Sequence, residues 1–195
     1  MYTLNELEII VKNCNRCPLS KTRTNAVFGE GKKESIIMFV GEGPGYNEDR
    51  IGKPFVGKAG ELFDKIIKAV DLTRDDIYIT NIVKCRPPGN RNPLENESKT
   101  CIEFLRWQVK IISPDIIVCL GSVAAKNIID KDFKITRSRG IWYERGKFNI
   151  IATYHPAALL RDVNKKRETW EDFKAIKKMY DKKIEAGPEK EKNRV

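Results

Sequence analysis

Residues 36–60, IIMFVGEGPGYNEDRIGKPFVGKAG, constrain the fold more than any other stretch of the chain. They open with a continuous apolar run, Ile36-Ile37-Met38-Phe39-Val40, too short for a helix and β-branched at its start. That is the pattern of a strand buried on both faces of a parallel sheet. Gly41, Gly43, Pro44 and Gly45 then turn the chain sharply, with few Cβ atoms to hold a ligand away from the backbone. A loop of this kind at the carboxyl end of a strand is where open α/β sheets place their sites. Pro54-Phe55-Val56-Gly57 follows as a stiff corner carrying one aromatic ring, ahead of a helical pattern over 58–70 with Leu62, Ile66, Ile67 and Val70 on one face. A planar ligand could be clasped between loop and ring. The glycines fall at two-residue steps with Tyr46 where a dinucleotide fingerprint needs a glycine, and no Gly-Lys-Ser/Thr follows, so ordinary nucleotide binding is set aside. A structural turn without a ligand is the bland alternative.

Three further short apolar runs, at 77–83, 115–120 and 148–153, have the same character. Helical patterns occupy 4–11, with Thr3 or Asn5 as the cap, and 98–112, 123–129 and 165–184, the last carrying Trp170, Phe173, Ile176 and Tyr180 as its packing stripe. Residues 133–146 suit an irregular or hairpin segment. Four strands alternating with helices predict an α/β protein, a three-layer α/β/α sandwich with a central, mainly parallel four-stranded sheet. One domain over 1–184 accounts for the pattern, and the charged tail at 185–195 is expected to be disordered. At 195 residues the core needs no covalent staple.

Lys plus Arg is 37 and Asp plus Glu is 27, a net charge of 37 − 27 = +10. An excess of that size favours a polyanionic partner over a solvated basic face, though composition alone does not separate the two. No apolar run approaches the length of a membrane span, and the amino terminus lacks a charged-then-apolar signal pattern. The expectation is a cytoplasmic protein with no membrane partner, in which structural disulfides are disfavoured for the five cysteines.

Cys14 and Cys17 form a C-x-x-C just after the first helix, where a thioredoxin-type redox pair would instead follow a strand. Cys85 ends the second strand run and Cys101 lies on the 98–112 helix. Four thiolates can hold zinc or a 4Fe-4S cluster. The wide gap between Cys85 and Cys101 argues against a zinc ribbon, which closes with a second short knuckle. Burial as plain core residues is the alternative for Cys85 and Cys101, and it is the reading for Cys119 inside the third strand run.

Between Cys85 and the next helix, Arg86-Pro87-Pro88-Gly89-Asn90-Arg91-Asn92-Pro93 makes a stiff basic loop whose Arg86, Asn90 and Arg91 offer donors suited to phosphate oxygens. Gly121-Ser122 opens a short helix with free amides, an anion site or simply a turn. His155, the single histidine, follows the fourth strand run and precedes Pro156, which is not a core position.

Taken in order, Gly41-Glu42-Gly43-Pro44-Gly45, Lys53-Pro54-Phe55-Val56-Gly57-Lys58-Ala59-Gly60, Thr80-Asn81-Ile82-Val83-Lys84-Cys85-Arg86-Pro87-Pro88 and His155-Pro156-Ala157-Ala158-Leu159-Leu160-Arg161 resemble the motifs of the family 4 uracil-DNA glycosylases, the iron-sulfur branch of their superfamily. The resemblance runs from Leu4 to about Tyr180. It implies a monofunctional DNA-repair hydrolase that flips uracil from single- or double-stranded DNA, cuts its N-glycosidic bond and leaves an abasic site, acting as a monomer. It implies Cys14, Cys17, Cys85 and Cys101 as ligands of a structural 4Fe-4S cluster. Glu42, Asn81 and His155 would be catalytic: Glu42 placing the attacking water, Asn81 reading the base edge, His155 facing O2. Gly41, Gly43, Glu48 and Phe55 would complete the uracil site, with Phe55 stacking and Glu48 crowding C5 to exclude thymine. Ser122, Leu159 and Arg161 would join Arg86, Asn90 and Arg91 on DNA, with Leu159-Leu160-Arg161 as a wedge. Superfamily branches with a general-base aspartate carry it at the position of Gly43, so the base is not identified here. Selecting uracil over cytosine through Asn81 also calls for neighbours that bond its amide from behind and fix one orientation.

Two other classes share parts of this pattern. A non-catalytic nucleic-acid binder with zinc or a cluster accounts for charge and cysteines but leaves Phe55, Asn81 and His155 without work. An electron-transfer protein accounts for the cysteines alone.

Overall fold

The computed structural model describes residues 2–187. The apolar runs form strands β2 (Ile37–Gly41), β3 (Tyr78–Asn81), β4 (Ile116–Leu120) and β6 (Phe148–Thr153). These four pair in parallel in the order β3-β2-β4-β6. Two antiparallel edge strands extend the sheet to six: β1 (Glu30–Gly31) on β3 and β5 (Trp142–Arg145) on β6. The expected four-stranded sheet is therefore the central part of a larger one. The two-residue β1 has no alternation to announce it, and β5 closes the 133–146 stretch expected to be irregular or a hairpin, pairing with β6 beyond it.

All five residues of β2 and of β4 are buried, as continuous apolar runs require when helices cover both faces. Ile37, Phe39, Ile79, Ile116, Val118 and Leu120 point to one side, where Phe63 and Ile67 of α3 (Lys58–Ala69) and Phe173 and Ile176 of α8 (Lys165–Ala186) meet them. Met38, Val40, Tyr78, Ile117 and Cys119 point to the other, against Leu7 and Val11 of α1 (Leu4–Lys12), Phe104 and Leu105 of α4 (Glu95–Ile112), and the alanines of α5 (Ser122–Ile128). This is the three-layer α/β/α sandwich.

Thr3 caps α1 through a capping box with Glu6. Phe63 rather than Leu62 carries the buried face of α3, and Trp170 on α8 is 39 % exposed instead of packed. α8 continues through Glu185 and Ala186, so the charged tail begins later than expected, and residues 188–195 lie outside the described residues. Three further short α-helices lie among the described residues: α2 (Tyr46–Ile51), α6 (Ile135–Ser138) and α7 (Pro156–Arg161). No helix among the described residues is long and apolar enough to cross a membrane.

From β2 the chain crosses to β3 on one side and later to β4 on the other. The crevice beside the end of β2 is thus the point where strand order reverses, the place where open sheets receive ligands.

Candidate active site

A cleft of about 350 Å³ opens at the carboxyl ends of the parallel strands. Glu42 and Gly43 reach it from the end of β2, Asn81 from the end of β3, and His155 from the end of β6, with Phe55 entering from the corner before α3. Glu48, Asn90, Arg91, Asn92 and Arg161 complete the polar part of its wall. Sequence positions more than a hundred apart meet here because parallel strands end on one edge.

Asn81 is 2 % exposed and its Oδ1 is a buried side-chain atom without a hydrogen-bond partner among the described residues. An orphaned buried acceptor costs on the order of 1–3 kcal/mol, so it is kept where something outside the protein fills it. Among the described residues no neighbour bonds the amide from behind, contrary to the sequence-based expectation. A Cβ on Gly41 would stand 2.4 Å from Asn81 Oδ1 and 3.0 Å from the Phe55 ring, so a larger residue there would crowd both. Gly41 therefore belongs to the site by leaving room, and it is not itself among the residues lining the cleft.

The Phe55 ring lies 5.4 Å from the imidazole of His155, tilted by 33°. His155 caps α7, and its Nδ1 accepts the amide N–H of Ala157 at 3.1 Å. An accepting Nδ1 leaves the proton of the neutral ring on Nε2, which becomes a donor free for the cleft. Burial, aided by the positive charge of Arg161, lowers the His155 pKa to about 4, so the ring is neutral at physiological pH. Burial acts oppositely on Glu42, raising its carboxyl above the ordinary range while Arg161 counteracts.

Glu48 lines the cleft, but its Oε1 accepts the amides of Val56 and Gly57, each at 3.0 Å. This bonding ties it to the Phe55 corner in addition to any contact with a base. At Gly43 a Cβ would fall 2.7 Å from Val83 Cγ2, which leaves little space for a side chain in that place.

The basic positions separate into three groups. Arg161 is exposed, lines the cleft and makes no ion pair among the described residues. Arg86 donates to Asn90 Oδ1 at 2.7 Å and lies over the Tyr46 ring, a rim aromatic whose place the sequence did not signal. Arg91 is bound bidentately by Glu97, at 2.8 Å twice, which makes it an anchor of the loop before α4 rather than a free cation. Leu159 corrects the expected wedge: it is 2 % exposed and packed inward, while its neighbour Leu160 is 50 % exposed. One turn of α7 allows only one of two consecutive leucines to face out. Ser122 starts α5 outside the cleft lining, where Gly121 packs against His155.

Cys14, Cys17, Cys85 and Cys101 line one small cavity with Val11 and Phe104, although they come from the end of α1, the loop after β3, and α4. All four are free thiols, and Cys119 is fully buried elsewhere in the core. Arg23 donates to Cys85 Sγ at 3.0 Å and the Lys84 amide to Cys101 Sγ at 3.3 Å, donors suited to sulfurs carrying negative charge. Burial raises the Cys85 thiol and takes that of Cys101 to about 11, so a bound metal would have to displace their protons. No three metal-ligating side chains among the described residues converge on a single-ion position. Four cysteines from three segments around one cavity are a donor set that could hold a 4Fe-4S cluster. Lys84 stands behind it, buried, with Nζ donating to Thr80 Oγ1, the Asn81 carbonyl and Gln108 Oε1 at 2.6, 2.8 and 2.7 Å.

A neutral histidine, an aromatic ring and an orphaned asparagine acceptor at the ends of parallel strands make a site suited to a planar, hydrogen-bonding ring. Residues 28–174 match the family model described as the uracil DNA glycosylase superfamily. The chain is 48 % identical to the type-4 uracil-DNA glycosylase of Thermotoga maritima, covering 83 % of this chain and 88 % of that one. It is 42 % identical to the type-4 enzyme of Archaeoglobus fulgidus over 94 % of this chain and 96 % of its relative, and 46 % identical to that of Sulfurisphaera tokodaii over 92 % and 86 %. The chain belongs to the uracil DNA glycosylase superfamily, in its type-4 branch.

Proposed function

We propose that this chain hydrolyses the N-glycosidic bond of uracil in DNA, releasing the base and leaving an abasic site as the first step of base excision repair. The observation that carries the proposal is the buried, unpartnered Oδ1 of Asn81 in one cleft with Phe55 and a neutral His155. Uracil offers an N3–H to that oxygen and an O4 to the amide nitrogen beside it.

The reaction follows from the groups present. The base leaves the stack at a cost of a few kcal/mol and enters the cleft, where the Phe55 ring covers one face. As the C1′–N1 bond breaks, its electron pair moves onto N1 and O2 of the base. The Nε2–H of His155 donates to O2, stabilising a charge that exists only late in the step. Water adds to C1′, and the proton it gives up neutralises the uracil anion at N1, so that the free base and the abasic sugar both leave uncharged. Among the carboxylates lining the cleft, Glu48 is engaged with two backbone amides, which leaves Glu42 to orient that water. The shortage of room at Gly43 supports the same assignment.

Cys14, Cys17, Cys85 and Cys101 would hold a 4Fe-4S cluster, whose part is structural: it would tie α1 to the loop after β3 and to α4. DNA, single- or double-stranded, is held by Arg161, Arg86, Asn90, the exposed Leu160 and the amides at Ser122, acting as phosphate contacts and wedge. The enzyme works as a cytoplasmic monomer. A duplex carrying one uracil, incubated with the protein and then heated in alkali, should break at that position and nowhere else. An uncleaved strand would leave only a nucleic-acid binder.

A further inference from the structure

Phe55 has φ of +54°, a left-handed conformation that a bulky aromatic residue adopts only when its surroundings impose it. Two charged side chains impose it here. Arg74, in the loop between α3 and β3, donates to the carbonyls of Pro54 and Phe55, the former at 3.2 Å. Glu48, from α2, accepts the amides of Val56 and Gly57. Four backbone groups in succession are thus held by one cation and one anion, from opposite sides. Asp64 fixes Arg74 in turn, 2.8 Å from its Nε. Gly60 completes the seat, since a Cβ there would lie 1.9 Å from the Phe55 carbonyl oxygen.

We propose that Arg74 is a positioning residue for uracil excision: it holds the corner in its strained conformation and so presents the Phe55 ring to the base. This rests on the assignment of Phe55 as the stacking ring. Arg74 is not among the residues lining the cleft, so it acts on substrate through Phe55 rather than by contact. Without its two donors the corner would relax toward ordinary φ and the ring would leave its place beside His155. Lysine would keep one donor and lose the fork that spans two carbonyls.

The test is a double-mutant cycle between Arg74 and Phe55, with kcat and KM on a single-uracil oligonucleotide, inhibition by free uracil, and thermal midpoint measured on the same samples. Arg74→Ala is expected to lower kcat/KM about 10- to 100-fold and to weaken inhibition by free uracil in parallel. Arg74→Lys should recover part of both. In a Phe55→Ala background, Arg74→Ala should change kcat/KM by less than about twofold, because the ring through which it works is gone. Equal losses in both backgrounds, or a lowered midpoint with free-uracil inhibition unchanged, would overturn the proposal. If Arg74→Ala does not fold, the same cycle run with Arg74→Lys decides by the same criterion. A parent protein that excises no uracil would instead refute the functional reading.

Discussion

Replacing Asn81 by leucine tests the site at its most informative atom. Leucine has nearly the shape of asparagine but offers no acceptor, so the substitution removes the buried Oδ1 without opening a large cavity. Asn81 is 2 % exposed and that oxygen has no partner, which places the cost of the orphan in the free protein at about 1–3 kcal/mol. Asn81→Leu should therefore stabilise the free enzyme by up to that amount, or roughly 2–4 °C in Tm for each kcal/mol in a domain of this size. The same change removes the partners of uracil N3–H and O4. At about 1–3 kcal/mol for each of the two unpaired groups, kcat/KM should fall by roughly 30-fold to 10⁴-fold. Thermal melts and alkali-cleaved single-uracil oligonucleotides measure the two effects on one preparation. A variant that melts below the parent would show that the oxygen is not a cost to the free protein. Excision within a few-fold of the parent would show that Asn81 does not read the base.

Asn81→Asp should also lose most uracil excision, and cleavage at a single cytosine in the same sequence context would reveal any activity gained. Since His155 is the only histidine in the chain, its imidazole can be titrated by NMR without ambiguity; it should titrate near pH 4 as the Nε2–H tautomer, and Arg161→Gln should move the titration upward. The depressed pKa means that the unfolded chain binds a proton between about pH 6.5 and 4 that the folded one refuses, so His155 contributes to a loss of stability as pH falls through that window. A titration near the model-peptide value would remove the basis for a neutral donor. Non-specific DNA affinity should fall steeply with salt, and Arg161→Gln should flatten the logarithmic slope by about one unit, whereas Arg91→Gln should act mainly through stability because Glu97 already holds Arg91. Purified protein should be brown and contain iron; Cys101→Ser should lose it and Cys119→Ser should not, as iron analysis and visible absorbance will show.

The sequence by itself determined the central architecture and named most of the side chains that line the cleft. A continuous apolar run such as Ile37-Met38-Phe39-Val40 has one stable solution at its length, a strand covered on both faces, and four of these interleaved with helices leave a parallel sheet with helices on either side. Glycine at 41 and histidine before a proline at 155 are local signals that survive without a structure. What the tertiary structure decided depends on contacts between segments distant in sequence. The edge strand β1 is defined by its pairing with Tyr78 and Ile79 and by nothing in its own two residues. Leu159 and Leu160 are equivalent as letters, and only the docking of α7 sends one into the core and the other to solvent. That Glu97 holds Arg91 and that the Glu48 carboxylate holds the Phe55 corner, while Arg91 and Glu48 also line the cleft, is announced by nothing in their local sequence. Local sequence sets which conformations a segment can adopt, but hydrogen-bonding capacity is spent across the whole fold, and where each donor and acceptor is spent can be known only from the packed chain.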